Sequence, residues 1–163
     1  MRLYHGTDTR FDRPRIVIPN RTLDFGPGFY TSSDRAQAER WAVSVSRRRK
    51  SGTALVHIYE CDEAALGALR TKRFDAPSRG WLDFVADHRL GRYVGPAFDY
   101  VAGPVANDRA IPVIQQYLQA EDREVFAPVA LALIKPENLV DQQTFKTAGA
   151  LACLTLVEVS EVE

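Results

Sequence analysis

The stretch from Asp24 to Trp41 constrains this chain more than any other. Its first half reads Asp24-Phe25-Gly26-Pro27-Gly28-Phe29-Tyr30-Thr31-Ser32-Ser33, a Gly-Pro-Gly turn feeding a short aromatic strand. Its second half starts a helix, because Asp34 three residues before Gln37 fits a capping box. Ala38, Trp41, Ala42 and Val45 then recur at helical spacing and predict one apolar face. Tyr30 at the strand end and Trp41 two turns into the helix are expected to face each other across a slot. Such a slot suits a flat, cationic ring, since aromatic faces carry negative quadrupole charge. Core filling by both rings is the competing reading of the same residues.

A chain of 163 residues is expected to form one domain, 1–163, with a core that needs no staples. Its 21 basic and 21 acidic residues balance overall but not along the chain. Residues 1–80 hold 15 Lys/Arg against 9 Asp/Glu, net +6, and residues 81–163 hold 6 against 12, net −6. The basic half contains the aromatic stretch, so a phosphate-bearing ligand is at home there. Overall neutrality argues against a dedicated duplex-DNA binder. Two cysteines, Cys61 and Cys153, make no disulfide framework. The start, Met1-Arg2-Leu3-Tyr4-His5, carries no apolar signal core, and no run reaches membrane-spanning length. A cytoplasmic protein is the expectation.

Along the chain, strands are expected near 2–5, 28–32, 53–61, 98–106, 142–146 and 154–162. His5-Gly6-Thr7 ends the first strand and groups an imidazole, a bare backbone N–H and a hydroxyl. Residues 8–23, with one strand-like segment at Ile16-Val17-Ile18, read as an irregular loop whose Arg10, Arg13, Arg15 and Arg21 are solvated or reach a pyrophosphate bidentately. The first helix closes on Arg47-Arg48-Arg49-Lys50, cations that suit its negative dipole end, with a nucleic-acid patch as the alternative reading. Residues 62–70 read as a helix and 70–79 as a basic loop. Trp81, Phe84, Val85 and His88 give an amphipathic helix over 80–90, with His57 and His88 in packing roles. Asn107 and Asp108 are candidate caps for a helix that tolerates Pro112 in its first turn. Phe126, Val129, Ala130 and Leu133 mark a further helix closed by Pro136. Residues 148–153 make one or two helical turns, where Cys153 is a small buried hydrophobe. No phosphate-cradling glycine loop, zinc-protease helix, nucleophile elbow or cysteine pair at metal spacing is present.

Taken together, His5-Gly6-Thr7, the Phe25-Gly26-Pro27-Gly28-Phe29-Tyr30 turn, and Trp41 eleven residues after Tyr30 resemble the ADP-ribosyltransferase superfamily. The branch resembled is the His–Tyr–Glu one of poly(ADP-ribose) polymerases and diphtheria toxin. The sequence is most similar to small bacterial ADP-ribosyltransferase-like domains, through Asp24–Thr31, the Gly-Pro segment of Asp99–Asp108 and Asp141-Gln142-Gln143-Thr144-Phe145. The resemblance implies an α+β fold with two split antiparallel sheets around an NAD cleft and helices outside. It implies NAD as substrate and no metal. It implies that His5 holds a ribose hydroxyl and that Gly6 and Thr7 address the carboxamide. Tyr30 and Trp41 would hold the nicotinamide ring, Phe25 and Gly28 would line the same site, and Arg21 is the candidate pyrophosphate ligand. The third triad position falls on Gln142, where the branch usually carries Glu. His5, Tyr30 and Gln142 are thus the catalytic candidates, with Asp141 or Asp108 as sources of the absent carboxylate.

The resemblance implies transfer of ADP-ribose from NAD to a macromolecular acceptor, protein or nucleic acid, with release of nicotinamide. Domains of this size resemble toxins, which implies a neutralising antitoxin protein as partner and no membrane. The alternatives are a non-catalytic module binding NAD or ADP-ribose, suggested by Gln142, plain NAD hydrolysis, and an RNA 2′-phosphotransferase of related fold.

Overall fold

The computed structural model describes residues 1–18, 23–106, 110–134 and 140–162. In chain order its elements are β1 (Arg2–Thr7), β2 (Phe29–Thr31), α1 (Arg35–Arg49), β3 (Leu55–Cys61), α2 (Glu63–Gly67), β4 (Thr71–Arg73) and α3 (Arg79–Arg89). Then come β5 (Tyr100–Pro104), α4 (Ala110–Gln119), α5 (Arg123–Ile134), β6 (Asp141–Phe145), α6 (Ala148–Leu151) and β7 (Leu154–Glu161). The strands form two sheets, ordered β1-β3-β7 and β2-β6-β5-β4. All pairings are antiparallel except β4 with β5.

Alternation along the strands sorts side chains into three apolar layers. Leu3, Tyr59, Cys61 and Leu154 of the first sheet meet Phe29, Tyr100, Ala102 and Phe145 of the second, so one layer lies between the sheets. The outer face of the first sheet, through Val56 and Ile58, packs on Ala38 of α1. The outer face of the second, through Val101, packs on a larger cluster built by α3, α4 and α5 around Trp81, Phe84, Ile114 and Ala130.

Several expectations shift in detail. Residues 70–79 contain β4, a three-residue edge strand with mostly exposed side chains and no apolar alternation to announce it. It is held because Arg70 N–H donates to the Asp99 carboxylate at 3.0 Å and Asp99 N–H donates to Arg70 C=O at 2.8 Å. The helix expected over 62–70 is only Glu63–Gly67. Helix α5 runs through Pro128 and buries Ala127, Ala130 and Ile134, leaving Val129 and Leu133 exposed, so its core face is rotated from the expected one. Asp34 caps α1 through Gln37 N–H at 3.3 Å, but the Gln37 side chain does not complete the box; it accepts from Ser32 Oγ at 2.5 Å. Pro112 sits in the first turn of α4 as expected. The candidate caps Asn107 and Asp108, and Pro136, lie outside the described residues.

Both cysteines are free and buried, and burial pushes the Cys61 thiol up to about 11. His88 is structural, its Nδ1 2.8 Å from Phe84 C=O and its ring stacked on Tyr93. His57 is fully buried beside Phe11 at 4.1 Å. Among the described residues no helix is long and apolar enough to cross a membrane.

Candidate functional site

Among the described residues the two sheets exchange main-chain hydrogen bonds at one seam. Tyr4 N–H donates to Ser32 C=O and Ser32 N–H to Tyr4 C=O, each at 2.9 Å. In an antiparallel ladder the next such pair would join Gly6 to Tyr30. The ladder stops there because the Tyr30 carbonyl accepts from His5 Nδ1 at 2.7 Å instead. By strand alternation, Gly6 therefore turns its main-chain N–H and C=O toward the split rather than toward β3.

The seam also fixes which side chains share a side. Residues opposite one another across a ladder point the same way, so Tyr4 and Gly6 share a side with Ser32 and Tyr30. The register Tyr30↔Thr144 adds Thr144, and hence Gln142, to that side. Helix α1 covers it at the β1 end, as the Ser32–Gln37 hydrogen bond and the approach of α1 to Gly6 both show. A Cβ built on Gly6 would lie 2.0 Å from Ala38 C=O, so only glycine lets α1 settle on β1. The structure thus gathers Gly6, Tyr30, Gln142 and the helix carrying Trp41 on one side of the seam.

The Asp24–Gly28 turn is anchored from below and from behind. Gly26 has φ +74°, the left-handed region. A Cβ on Gly28 would meet Thr144 Cγ2 at 2.5 Å, so glycine allows the turn to lie directly on β6. Lys146 Nζ donates to Phe25 C=O and, at 3.2 Å, to Pro27 C=O. Burial pulls its pKa down to about 8. Tyr30 returns its hydroxyl to the same turn, donating to Gly26 C=O at 2.6 Å and accepting from Phe25 N–H at 3.1 Å. Burial raises the Tyr30 pKa, so the phenol stays protonated.

Each expected site residue then has a definite place. His5 is stacked on Phe29 at 4.4 Å, on the inter-sheet side of the seam. Burial, with a smaller contribution from nearby His57, lowers its pKa to about 4 against the opposing Tyr30 carbonyl. The ring is neutral, and because a carbonyl only accepts, the proton sits on Nδ1 and Nε2 is the acceptor. Thr7 Oγ1 accepts from Thr9 N–H at 3.3 Å, which ties it to the following turn. Phe25, expected to line the cofactor site, is fully buried core packed against Phe74 and Phe84. Tyr30 packs against the α3–α5 cluster, whereas Trp41 is 44 % exposed with the Arg48 guanidinium 5.0 Å above its ring. Trp41 also leaves the buried face of α1, which Ala38, Ala42 and Val45 form. Arg21 lies outside the described residues.

Gln142 is 6 % exposed, and its amide nitrogen donates to Asp24 Oδ2 at 3.0 Å and reaches Pro104 C=O at 3.4 Å. Asp24, 5 % exposed, also accepts from Arg89 Nε and Nη2 at 2.9 and 2.5 Å and from Ala106 N–H at 2.9 Å. This hub escaped the sequence reading, because Asp24 and Arg89 are 65 positions apart and nothing local marks the pair. Asp141, a candidate source of the absent carboxylate, lies on the opposite face of β6. It is occupied by Ser33 Oγ at 2.7 Å and Gln143 Nε2 at 2.7 Å. Gln143 in turn accepts from Tyr100 OH at 2.5 Å, a cross-link within the inter-sheet layer. Asp108 lies outside the described residues.

An open depression lies elsewhere, lined by Arg79, Arg92 and Arg123 with Glu121, Asp122 and Glu124. Its arginines are engaged by acidic neighbours, Arg79 with Glu124 at 2.9 Å and Arg92 with Asp87 at 3.0 Å. Among the described residues no group of three or more His, Cys, Asp and Glu is arranged to hold a metal ion. A family model described as "Protein of unknown function (DUF3990)" matches residues 1–156. No curated protein and no solved structure matches the chain.

Proposed function

We propose, for a chain that belongs to the DUF3990 family of proteins of unknown function, that it transfers ADP-ribose from NAD to a macromolecular acceptor and releases nicotinamide. One observation carries the reading. Three segments far apart in sequence meet at a single split between two sheets: His5-Gly6-Thr7, Phe29-Tyr30 and Gln142.

The chemistry asked of such a site is modest in parts and demanding in charge. The bond from ribose C1′ to the nicotinamide nitrogen breaks, and its electron pair goes to that nitrogen, which loses its positive charge. Positive charge develops on the sugar, and an oxygen or nitrogen of the acceptor attacks C1′ and gives up a proton. Gly6, with N–H and C=O turned to the split, offers the donor–acceptor pair that a carboxamide needs. Tyr30 and Trp41 offer apolar faces to the ring. Neutral His5 lies on the other side of the seam from Gln142, where its Nε2 remains an acceptor that suits a sugar hydroxyl. Arg10, Arg13 and Arg15 on the 8–18 segment are available to a pyrophosphate. Gln142 offers its Oε1 to a ribose hydroxyl, positioning the sugar without a formal charge.

Labelled NAD incubated with the protein and a cell extract tests the reading. Nicotinamide release together with a labelled macromolecule is expected. Absence of both refutes it. The neutral Gln142 favours a second reading, a module that binds NAD without turning it over; calorimetry showing binding while NAD stays intact for hours would select it. Action as a toxin in the cytoplasm, held in check by a neutralising protein, belongs to the same proposal.

A further inference from the structure

We infer that Asp24 is the positioning residue of this site: it grips the Gln142 amide by its nitrogen and is the reason that position carries glutamine rather than glutamate. The inference rests on the NAD reading for its consequence in catalysis and on the geometry alone for the pairing.

A carboxylate is an acceptor only, whereas a primary amide has one accepting and one donating end. With Asp24 Oδ2 3.0 Å from Gln142 Nε2, the amide is fixed in one of its two flips, and Oε1 is the end left to meet a ligand. Asp24 is itself pinned by two Arg89 nitrogens and the Ala106 N–H, so it does not follow Gln142 if the latter moves. Both partners are nearly sealed from water, at 5 % and 6 % exposure. A glutamate at 142 would set a second carboxylate oxygen against Asp24 in this enclosure, and two such groups cannot both ionise cheaply. Glutamine is the residue whose donor end answers Asp24 while its other end still accepts. The hydrogen bond from the amide to a carboxylate also polarises the amide and makes Oε1 a better acceptor. Asp24 thereby delivers, one bond further back, part of the negative character that a carboxylate would have placed directly beside the developing sugar cation.

Three variants, Asp24→Asn, Gln142→Glu and the double variant, test this beside the unaltered protein. Thermal midpoint, NAD dissociation constant and the rate of nicotinamide release are measured for each. The Gln142→Glu single variant is expected to lose several degrees of midpoint. Each single variant should lose about tenfold or more in rate, the size of one charge-assisted hydrogen bond, with NAD affinity within about threefold. In the double variant the asparagine introduced at 24 donates to the glutamate introduced at 142, so midpoint and rate should recover above those of Gln142→Glu. Additive losses, or an unchanged midpoint in Gln142→Glu, overturn the inference. If Asp24→Asn alone fails to fold, the comparison of Gln142→Glu with the double variant still decides. If the unaltered protein neither binds nor cleaves NAD, the functional reading falls separately, and the midpoint cycle still accepts or rejects the pairing.

Discussion

Replacing Gly6 by alanine puts a number on how closely α1 is seated on β1. Gly6 does not have a positive φ, so alanine fits its backbone conformation. With room for the methyl group, the substitution would stabilise the protein by about 0.4–1 kcal/mol through the unfolded chain. There is no room. The added Cβ would lie 2.0 Å from Ala38 C=O and 2.9 Å from Ala42 N, both backbone atoms, where about 3.0 Å is the closest approach real Cβ atoms make. Helix α1 must therefore back away by about 1 Å, and a gap of that size forfeits a quarter to a half of each dispersion contact. Those contacts join Ala38, Val56 and Ile58. Overpacking costs about 1–3 kcal/mol, and the upper end applies because no rotamer change relieves a clash with backbone. Net of the entropic gain, the loss is about 2 kcal/mol, or a midpoint lowered by about 4–8 °C for a chain of this size. Urea denaturation with an unchanged m-value would show that stability alone moved. A midpoint unchanged or raised would refute the seating of α1 on Gly6.

Three further outcomes follow from the same contacts. Arg89→Ala strands the buried Asp24 carboxylate and should cost about 3 kcal/mol in urea denaturation, the low end for a broken buried pair because Arg89 is 22 % exposed; a loss under about 1 kcal/mol would show the pair to be dispensable. Tyr30→Phe leaves Phe25 N–H and Gly26 C=O without their hydroxyl partner and should cost about 1–3 kcal/mol while NAD affinity holds; affinity falling along with stability would mean that the hydroxyl, not the ring face, meets the ligand. Acid should destabilise the fold, since burial lowers the pKa values of His5, His57 and His88 in the native state. For His5 the window runs from about 6.5 down to about 4: within it the unfolded chain binds a proton that the folded one refuses, so stability is lost as pH falls. Midpoints recorded across that window should fall less steeply in His5→Gln, and an identical slope would refute the assignment.

Periodicity made most of the elements legible before any coordinates. Alternating β-branched residues marked β3 and β7, and the Trp81-Phe84-Val85 spacing marked α3. What escaped was whatever depends on a partner distant in sequence. Strand β4 carries no pattern of its own and exists because Asp99 reaches back to Arg70. The face of α5 was misjudged because Val129 and Leu133 are as apolar as the residues it buries, so periodicity alone chose the wrong stripe. Within the site, the turn, the seam strand and Gln142 were found by resemblance, and their meeting is a matter of register. Trp41 read as part of an apolar face, yet a large ring with a nearby guanidinium tolerates solvent. Phe25 read as a ligand contact because motif order does not reveal which side of a turn an aromatic takes. Asp24 stood in plain view as the first residue of the motif, but its role needed Arg89 and Gln142 beside it.

The two sealed sulfurs offer the protein a clock. With burial raising both thiols and leaving them only 6 % and 7 % exposed, an alkylating reagent reacts with them chiefly when the sheets part. Their rate of modification therefore counts openings of the layer between the sheets, without any added dye or label, and any ligand that braces the seam should make that count slow down.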